Sequence, residues 1–419
     1  MNNRFIEKII NTVGTPVFVY DWQIIKNHFK RVYDFLPYGV NIYYSMKANP
    51  TLAICQAIKN FTKNIEVSSL GEIACALKSG FHAKNILFSS PGKTNEELAI
   101  AVKEKIKINV ESIQEIKNIL DICQRQSDTT TIMMRINPDF TNTSTGIKMS
   151  GVASQFGIDV SDLTKAMNLI RKSRNINFAG ISVYMGSQIL DSKTIISNTK
   201  EIINLYRQIQ NDFRITLTEL DVGGGFGVSY FDNRHLDRIR LKEGLRHLFY
   251  EYRNELTNTK ISFESGRYLL AESGSFFTKI LYQKHSKGKN YLICDGGFNN
   301  ILLSSFFTRE IRGNFPIELI NERSSTNAEA SVEYYISGPL CSPSDILGSK
   351  VLLPPVKSGD ILQIKKVGAY GLTYSPLLFI SHLIPAEVLI NEEKYCVIRS
   401  RSACHDLFKN QHELPSAFL

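Results

Sequence analysis

Three separated segments of the chain carry residue types that could do chemistry together. In SMKAN, Lys47 follows an apolar run, and its amine is either a nucleophile or a surface charge on an apolar stem. In DVGGGFG, three consecutive glycines from Gly223 to Gly225 let backbone N–H groups come close to an anion. In ESGR, Glu264 supplies a carboxylate and Arg267 a guanidinium suited to bidentate phosphate contact.

These groups together suit pyridoxal phosphate. A lysine amine forms a Schiff base with this cofactor, a loop holds its phosphate, and a carboxylate keeps its pyridine nitrogen protonated. The glycine triplet by itself could equally be a flexible turn, and DVGGGFG does not fit the dinucleotide fingerprint GxGxxG. The combination of lysine, anion-binding loop and carboxylate therefore predicts a pyridoxal-phosphate enzyme.

Eight short β-rich runs, separated by helix-like stretches, would position these residues. The runs lie at 41–46, 65–69, 85–90, 108–112, 131–137, 178–185, 217–222 and 261–265. Strands that alternate with helices over about 230 residues are typical of a (β/α)8 barrel. We therefore predict an α/β fold built on a TIM-type barrel.

Active sites of such barrels lie at the carboxyl ends of the strands, so the residues at those ends are candidates. Charged residues and glycines gather there, which a purely structural barrel would not require. The further candidates found in this way are Glu66, Arg135, Tyr184, Ser187 and Gly266.

The pattern changes after about residue 270, where strand-like segments follow one another without helices and predict an all-β second domain. The run PVFVYD, at 16–21, precedes the barrel pattern and could pair with that domain. We predict an N-terminal segment at 1–35 that contributes a strand to the β domain, a cofactor-binding barrel at 36–275 and a C-terminal β domain at 276–419.

Composition narrows the class of protein. Hydrophobic residues make up 43% of the 419 residues, which provides large cores and excludes a disordered chain. No run reaches the roughly 18 apolar residues of a membrane span, and no signal peptide is evident. The net charge of +9 is spread along helices, so we expect no nucleic-acid partner. Seven cysteines without CxxC spacing predict a reducing cytoplasm, and the histidines show no metal-ligand spacing.

The motifs resemble those of the fold-type III pyridoxal-phosphate decarboxylases, the diaminopimelate, ornithine and arginine decarboxylase family. They span nearly the whole chain in the order of the family. The resemblance implies a barrel of the alanine racemase type, pyridoxal 5′-phosphate as cofactor and decarboxylation of an amino acid. The matching pieces are YYSMKANP, EVSSLGEIACALKSGF, SPGKTNEEL, VES, RINPD, QFGID, GSQI, DVGGGFG, ESGRYLLAESG, DGGFN, GPLCSPSD and GAYG.

The resemblance also implies roles for single residues. Lys47 would carry the cofactor, and Glu264 would pair with the pyridine nitrogen. Cys341 would return the proton to the carbanion after CO2 leaves, with Asp345 in the same loop. The family forms obligate homodimers in which this loop reaches the barrel of the partner subunit. The residues implied to hold the phosphate are Ser187, Gly223, Gly224, Gly225, Arg267 and Tyr370.

Two positions depart from the family pattern. Tyr184 stands where the family commonly has a histidine that stacks on the cofactor ring; a phenol can stack but supplies no imidazolium. Ser342 stands where diaminopimelate decarboxylases have a glutamate that recognises the distal end of the substrate. Without that carboxylate, burying a distal ammonium would be costly.

The second departure favours a conjugated substrate, such as a citryl-ornithine-type precursor of a carboxylate siderophore. The chain looks closest to the side branch that acts on carrier-protein-bound or siderophore-precursor amino acids. Free diaminopimelate, ornithine or lysine is the alternative, with Glu310 or another acid recognising the amine. Arg309 and Arg312 would meet an anionic substrate or are solvated surface residues. The residues predicted to bind substrate are Arg309, Arg312, Ser342, Asp345 and Tyr370.

Two other classes of function stay open at this point. A racemase shares the barrel and the cofactor lysine but needs an acid/base on each face of the carbanion. A non-catalytic homologue would be expected to lose Lys47, the glycine triplet or Cys341, and all of these are present.

Overall fold

The computed structural model describes residues 3–141, 147–231, 234–306, 313–320 and 331–418. Strands occur in both halves of the chain. The described strands are β1 (Val17–Asp21), β2 (Asn41–Ser45), β3 (Asn64–Val67), β4 (Ile86–Ser89), β5 (Lys107–Val110), β6 (Thr130–Asn137), β7 (Ile147–Lys148), β8 (Ile158–Asp159), β9 (Ile176–Ser182), β10 (Gly186–Ser187), β11 (Glu219–Asp221), β12 (Lys260–Ser265), β13 (Gly274–Ser286), β14 (Lys289–Cys294), β15 (Ile317–Ile320), β16 (Val332–Ser337), β17 (Ile346–Leu353), β18 (Ile361–Lys365), β19 (Ala386–Asn391) and β20 (Lys394–Arg399).

Helices lie mainly between the strands of the first half. Several of them begin at residues that suit a helix start: Ser69 and Ser112 accept hydrogen bonds from backbone N–H groups three residues on, and Thr94 forms a capping box with Glu97. The described helices are α1 (Asn3–Val13), α2 (Trp22–Phe35), α3 (Leu52–Ile58), α4 (Leu70–Lys78), α5 (Asn95–Lys103), α6 (Ile113–Gln126), α7 (Leu163–Arg171), α8 (Ser192–Phe213), α9 (Arg238–Glu251), α10 (Arg267–Leu270) and α11 (Leu302–Phe306).

Eight parallel strands close into a barrel. Their order is β5-β4-β3-β2-β12-β11-β9-β6, and β5 pairs with β6 to complete the ring. Each of the eight runs predicted from the sequence overlaps one of these strands, so the predicted TIM-type barrel is confirmed. Inside it, Tyr43, Leu87 and Met133 pack together, a layer contributed by alternate strands as expected for this fold.

The strands outside the barrel form a second sheet, in the order β17-β16-β14-β13-β1-β19-β20 with β18 and β15 attached through β13. The early strand β1 pairs antiparallel with β13 and parallel with β19. The sequence did not predict β15 or β17. The first is only four residues long, and the second is interrupted by Gly348, Ser349 and Lys350, which weaken a strand pattern.

The chain divides into two compact units. One contains Met1–Ile25, Tyr230–Asp232 and Leu270–Leu419, and the other contains Lys26–Ser229 and Asn233–Leu269. The second of these is the barrel. Among the helices that the structure describes, none has the length and apolar character needed to cross a membrane.

Candidate active site

Lys47 lies in a single 3-10 turn directly after β2, at the carboxyl end of the barrel. Its Nζ is 2.8 and 3.1 Å from the two carboxylate oxygens of Glu66 on β3. The Glu66 side chain is 2% exposed, whereas that of Lys47 is 42% exposed. The buried carboxylate therefore holds the ammonium at the barrel mouth while leaving the amine open to a reactant.

Tyr184 follows β9 on the same rim. The Lys47 Nζ lies 5.9 Å from the centroid of its ring, which is within cation–π range. Ser187 lies three residues further on, in β10. The structure thus brings the phenol that replaces the family histidine next to the amine that would carry the cofactor.

The loop after β11 contains the glycine triplet, and each glycine is required by a close backbone neighbour. A Cβ on Gly223 would approach the carbonyl oxygen of Val183, and Gly223 has a φ of +69°. A Cβ on Gly224 would collide with the carbonyl of Glu264, and one on Gly225 with the carbonyl of Gly186. The triplet is therefore a fixed loop packed between the ends of β9 and β12 rather than a loose turn.

Glu264 and Asp221 are buried carboxyl groups at the carboxyl ends of β12 and β11. Burial raises the pKa of Glu264 well above its usual range, the carboxylates of Glu66 and Asp221 raise it further, and Lys47 and Arg135 oppose the rise. Burial also raises the pKa of Asp221, whose Oδ1 accepts a 2.9 Å hydrogen bond from the Gly223 N–H. Burial therefore favours the protonated forms of both carboxyl groups, and a cationic partner would oppose this.

Arg135, on β6, forms a buried ion pair. Its Nη1 is 3.2 Å from Oε2 and 3.3 Å from Oε1 of Glu111, just beyond β5. Its Nε–H is buried and has no hydrogen-bond partner among the described residues. Buried donors in proteins usually have a partner, so this N–H is suited to donate a hydrogen bond to an atom of a bound ligand.

The end of β12 passes close to the turn that holds Lys47. A Cβ on Gly266 would meet the Cβ of Ala48 and the carbonyl oxygen of Ser45, so only glycine allows this approach. Arg267 follows immediately as the first residue of α10. The barrel thus brings together the predicted residues Lys47, Glu66, Arg135, Tyr184, Ser187, Gly223, Gly224, Gly225, Glu264, Gly266 and Arg267.

The remaining predicted site residues that the structure describes lie in the other compact unit. Cys341 is exposed at the tip of the loop between β16 and β17. Asp345 is 3% exposed, and its two carboxylate oxygens accept 2.8 Å hydrogen bonds from the N–H groups of Phe298 and Leu340. The carboxylate of Asp345 thus organises the loop, and its role as a direct substrate ligand stays a prediction.

Two more predicted ligands, Ser342 and Tyr370, have local partners in that unit. The Ser342 Oγ accepts a 3.2 Å hydrogen bond from the Ser344 N–H, which makes the hydroxyl part of the turn. Tyr370 has a φ of +56°, and its ring packs edge-on against Tyr374 at 6.3 Å. Arg309 and Arg312 lie outside the described residues.

Sequence reasoning assigned no role to two residues of the barrel site. Glu111 pairs with Arg135, and Asp221 accepts the hydrogen bond from Gly223. Both stand at the carboxyl end of a barrel strand, in INVES and ELDV, so the rule that selected Glu66 and Arg135 could have selected them too. The family resemblance implies no role for either residue, and their hydrogen-bond partners are evident only in the folded barrel.

The barrel residues fit pyridoxal phosphate. Lys47 offers an amine, and the backbone around the glycine triplet leaves no room for side chains, as a phosphate loop requires. Glu264 is a buried carboxyl suited to a pyridine nitrogen, and the Nε–H of Arg135 has no partner among the described residues. The fold and the site together define a cofactor-binding (β/α)8 barrel enzyme.

Comparison with known proteins gives the family. Residues 23–271 match the model of the pyridoxal-dependent decarboxylases, pyridoxal binding domain. Because that match covers more than half of the chain, the protein belongs to this family. It is a pyridoxal-phosphate-dependent decarboxylase, a carboxy-lyase.

Individual relatives agree with this assignment. The chain is 36% identical to an L-glutamyl–acyl-carrier-protein decarboxylase of Niallia circulans, over 97% of this chain and 95% of that protein. It is 28% identical, over 93% and 99%, to a Staphylococcus aureus decarboxylase of an L-alanin-3-ylcarbamoyl-substituted 2-hydroxybutanedioate. The solved diaminopimelate decarboxylase of Helicobacter pylori superposes with a TM-score of 0.86 at 29% identity, covering 96% and 98% of the two chains.

Proposed function

We propose that this enzyme removes the α-carboxyl group of an amino acid whose distal end is conjugated, rather than that of a free diamino acid. Pyridoxal phosphate, when bound, would supply an electron sink for the pair that CO2 leaves on Cα. Lys47 would hold the cofactor through its amine. Cys341 then gives its thiol proton to Cα, which completes the amine product.

We infer the substrate class from the loop around Cys341, which has no carboxylate available to pair with a substrate ammonium. Between Gly338 and Asp345 the only acidic side chain is that of Asp345, and both of its oxygens already accept backbone hydrogen bonds. The side chain of Ser342 is neutral and belongs to the turn. A substrate ammonium buried beside this loop would lack a counter-charge, whereas an amide or thioester would not need one.

Two relatives support this proposal through the reactions that they catalyse. The Niallia circulans enzyme acts on a glutamyl group carried by an acyl-carrier protein, and the Staphylococcus aureus enzyme acts on a carbamoyl-linked hydroxybutanedioate. In both substrates the distal end is joined to another group. Diaminopimelate decarboxylases, such as that of Helicobacter pylori at 31% identity, make the free diamino acid the second candidate.

A second copy of the chain would complete the site. The Cys341 thiol is exposed, and an apolar segment of the same unit is exposed as well: Tyr374 by 59%, Leu378 by 74% and Ile380 by 44%. An apolar surface of this kind favours burial against another protein. We propose a homodimer in which this face of one subunit covers the barrel mouth of the other.

We also propose that the enzyme works in the cytoplasm. All seven cysteines are free thiols. Proteins that function in oxidising compartments usually pair such residues, so free thiols fit a reducing environment.

The test of substrate class is a panel assayed for CO2 release by the holoenzyme. It compares diaminopimelate, ornithine, lysine and glutamate with citryl-conjugated diamino acids and a glutamyl thioester of a carrier protein. We expect the best conjugate to exceed every free diamino acid in kcat/KM by about tenfold or more. Free diaminopimelate as the best substrate would contradict the proposal.

Ser342→Glu sharpens this test by restoring the missing carboxylate. The variant should shift the kcat/KM ratio toward free diamino acids by about tenfold, because a distal ammonium then gains a counter-charge. Ser342→Gln, of similar size but neutral, should not shift the ratio. Equal ratios for the Glu and Gln variants would show that charge at this position does not select the substrate.

A further inference from the structure

The ion pair between Arg135 and Glu111 is buried at the carboxyl end of the barrel, next to the candidate site. Their side chains are 10% and 2% exposed. Arg135 belongs to the predicted cofactor site, whereas Glu111 has no assigned role. Breaking such a pair by neutralising one partner leaves an uncompensated charge in a poorly solvated place.

A turn at Phe156 and Gly157 holds the pair from the other side. The Arg135 guanidinium lies 4.6 Å from the centroid of the Phe156 ring, and the Gly157 N–H donates a 3.2 Å hydrogen bond to Glu111 Oε2. Gly157 has a φ of +75°, and a Cβ there would press against the backbone of Arg135, Ile136 and Asn137. The guanidinium is therefore fixed between a carboxylate and an aromatic face.

Glu111 is itself anchored by a second buried ion pair. Its backbone N–H donates a 2.8 Å hydrogen bond to Glu115 Oε2, and Glu115 Oε1 is 2.7 Å from the Nζ of Lys93. The Lys93 side chain is fully buried and also donates to the carbonyls of Ser90 and Asn109. A chain of four buried charges thus runs from Lys93 to Arg135, and rigid support of this kind is what precise sites need.

The other end of this chain faces the catalytic groups. The Nε–H of Arg135 has no partner among the described residues, and the positive charge of Arg135 lowers the pKa of Glu264. We propose that Glu111 is a positioning residue that holds the Arg135 guanidinium in place as a donor and positive charge for the bound cofactor. The inference rests on cofactor binding and does not depend on which substrate is used.

The test is a double-mutant cycle of Glu111→Gln and Arg135→Gln with two readouts besides activity. The first is the dissociation constant of pyridoxal phosphate. Each single variant should raise it about tenfold, and the double variant should bind no worse than Arg135→Gln alone, because the two residues act through one contact. Additive losses, or wild-type affinity in Glu111→Gln, would overturn the proposal.

The second readout is the pH midpoint of the absorbance of the bound cofactor. Removing the anion of Glu111 should lower this midpoint by about half a unit, and removing the cation of Arg135 should raise it similarly. Shifts of the same sign in the two variants, or no shift in either, would also overturn the proposal.

Glu219→Gln is the matched control, because Glu219 pairs with Lys107 where β11 and β5 begin, at the opposite end of the barrel. It should lower stability but leave the cofactor affinity and the pH midpoint unchanged.

If Glu111→Gln does not fold, Phe156→Leu tests the proposal instead. Phe156 is only half-buried, and its ring contacts the guanidinium of Arg135. That variant should weaken cofactor binding about threefold, and wild-type affinity in it would reject the proposal.

Discussion

The barrel mouth and the loop around Cys341 are built in opposite ways. In the barrel, the buried carboxylates of Glu66 and Glu111 pair with cations of the same unit, Lys47 and Arg135. In the loop around Cys341 the backbone is tightly held by Asp345, yet the reactive thiol and the nearby apolar segment are exposed. The barrel groups are thus paired within their own unit, whereas we propose that the exposed thiol acts at the site of a second subunit.

The largest expected effect comes from the loop after β11. Gly224→Ala places a Cβ against the carbonyl of Glu264, and it should cost about 3 kcal/mol of stability and weaken cofactor binding at least about a hundredfold. Gly92→Ala is the control, because no atom lies within 4 Å of its added Cβ. Thermal unfolding and cofactor titration of both variants measure the difference; a cofactor affinity near wild type in Gly224→Ala would show that the loop does not hold the phosphate.

Asp345→Ala tests the loop around Cys341. It leaves the N–H groups of Phe298 and Leu340 without their acceptor, so the loop that presents Cys341 should lose its shape. We expect kcat to fall about ten- to a hundredfold while the cofactor affinity stays at the wild-type value. Loss of cofactor affinity together with kcat would mean that the two regions are not separate in function.

The smallest effect concerns Glu72 on α4, close to Lys47 and Glu66. Burial raises its pKa to about 7. The folded protein therefore binds this proton more tightly than the unfolded chain, in which the pKa is about 4.3, and stability should fall as pH rises between about 4.3 and 7.

Glu72→Gln should remove this slope, because the glutamine does not titrate. Denaturant unfolding of the protein without cofactor at several pH values measures it. An unchanged slope in the variant would show that Glu72 ionises normally.

The same contrast explains how much could be predicted from the sequence. Strand periodicity and the rule that barrel sites lie at the carboxyl ends of strands located Lys47, Glu66, Arg135 and Glu264, because each is fixed by its position on its own strand. Contacts between side chains that are distant in the sequence could not be predicted in this way. Glu111 meets Arg135 across two strands and a distant turn at Gly157, and no local pattern encodes that meeting.

The loop around Cys341 shows a different limit. The motif indicated the thiol, but the role of Asp345 as the acceptor for Phe298 depends on a contact 47 residues apart in the sequence. The strand β17 that follows was missed because its pattern is broken in the middle. The local sequence thus located the thiol of Cys341, whereas the conformation of its loop depends on hydrogen bonds between residues distant in the sequence.

The central claim, that the barrel of one subunit works with Cys341 of another, is tested most directly by mixing two inactive variants. Lys47→Ala lacks the cofactor amine and Cys341→Ala lacks the proton donor, so neither homodimer is expected to form more than a trace of the decarboxylated amine product, which is the activity measured. When the two are unfolded together in equal amounts and refolded, half of the dimers are mixed, and each mixed dimer contains one intact site. We predict recovery of about one quarter of the wild-type activity; a mixture as inactive as its components would contradict the claim.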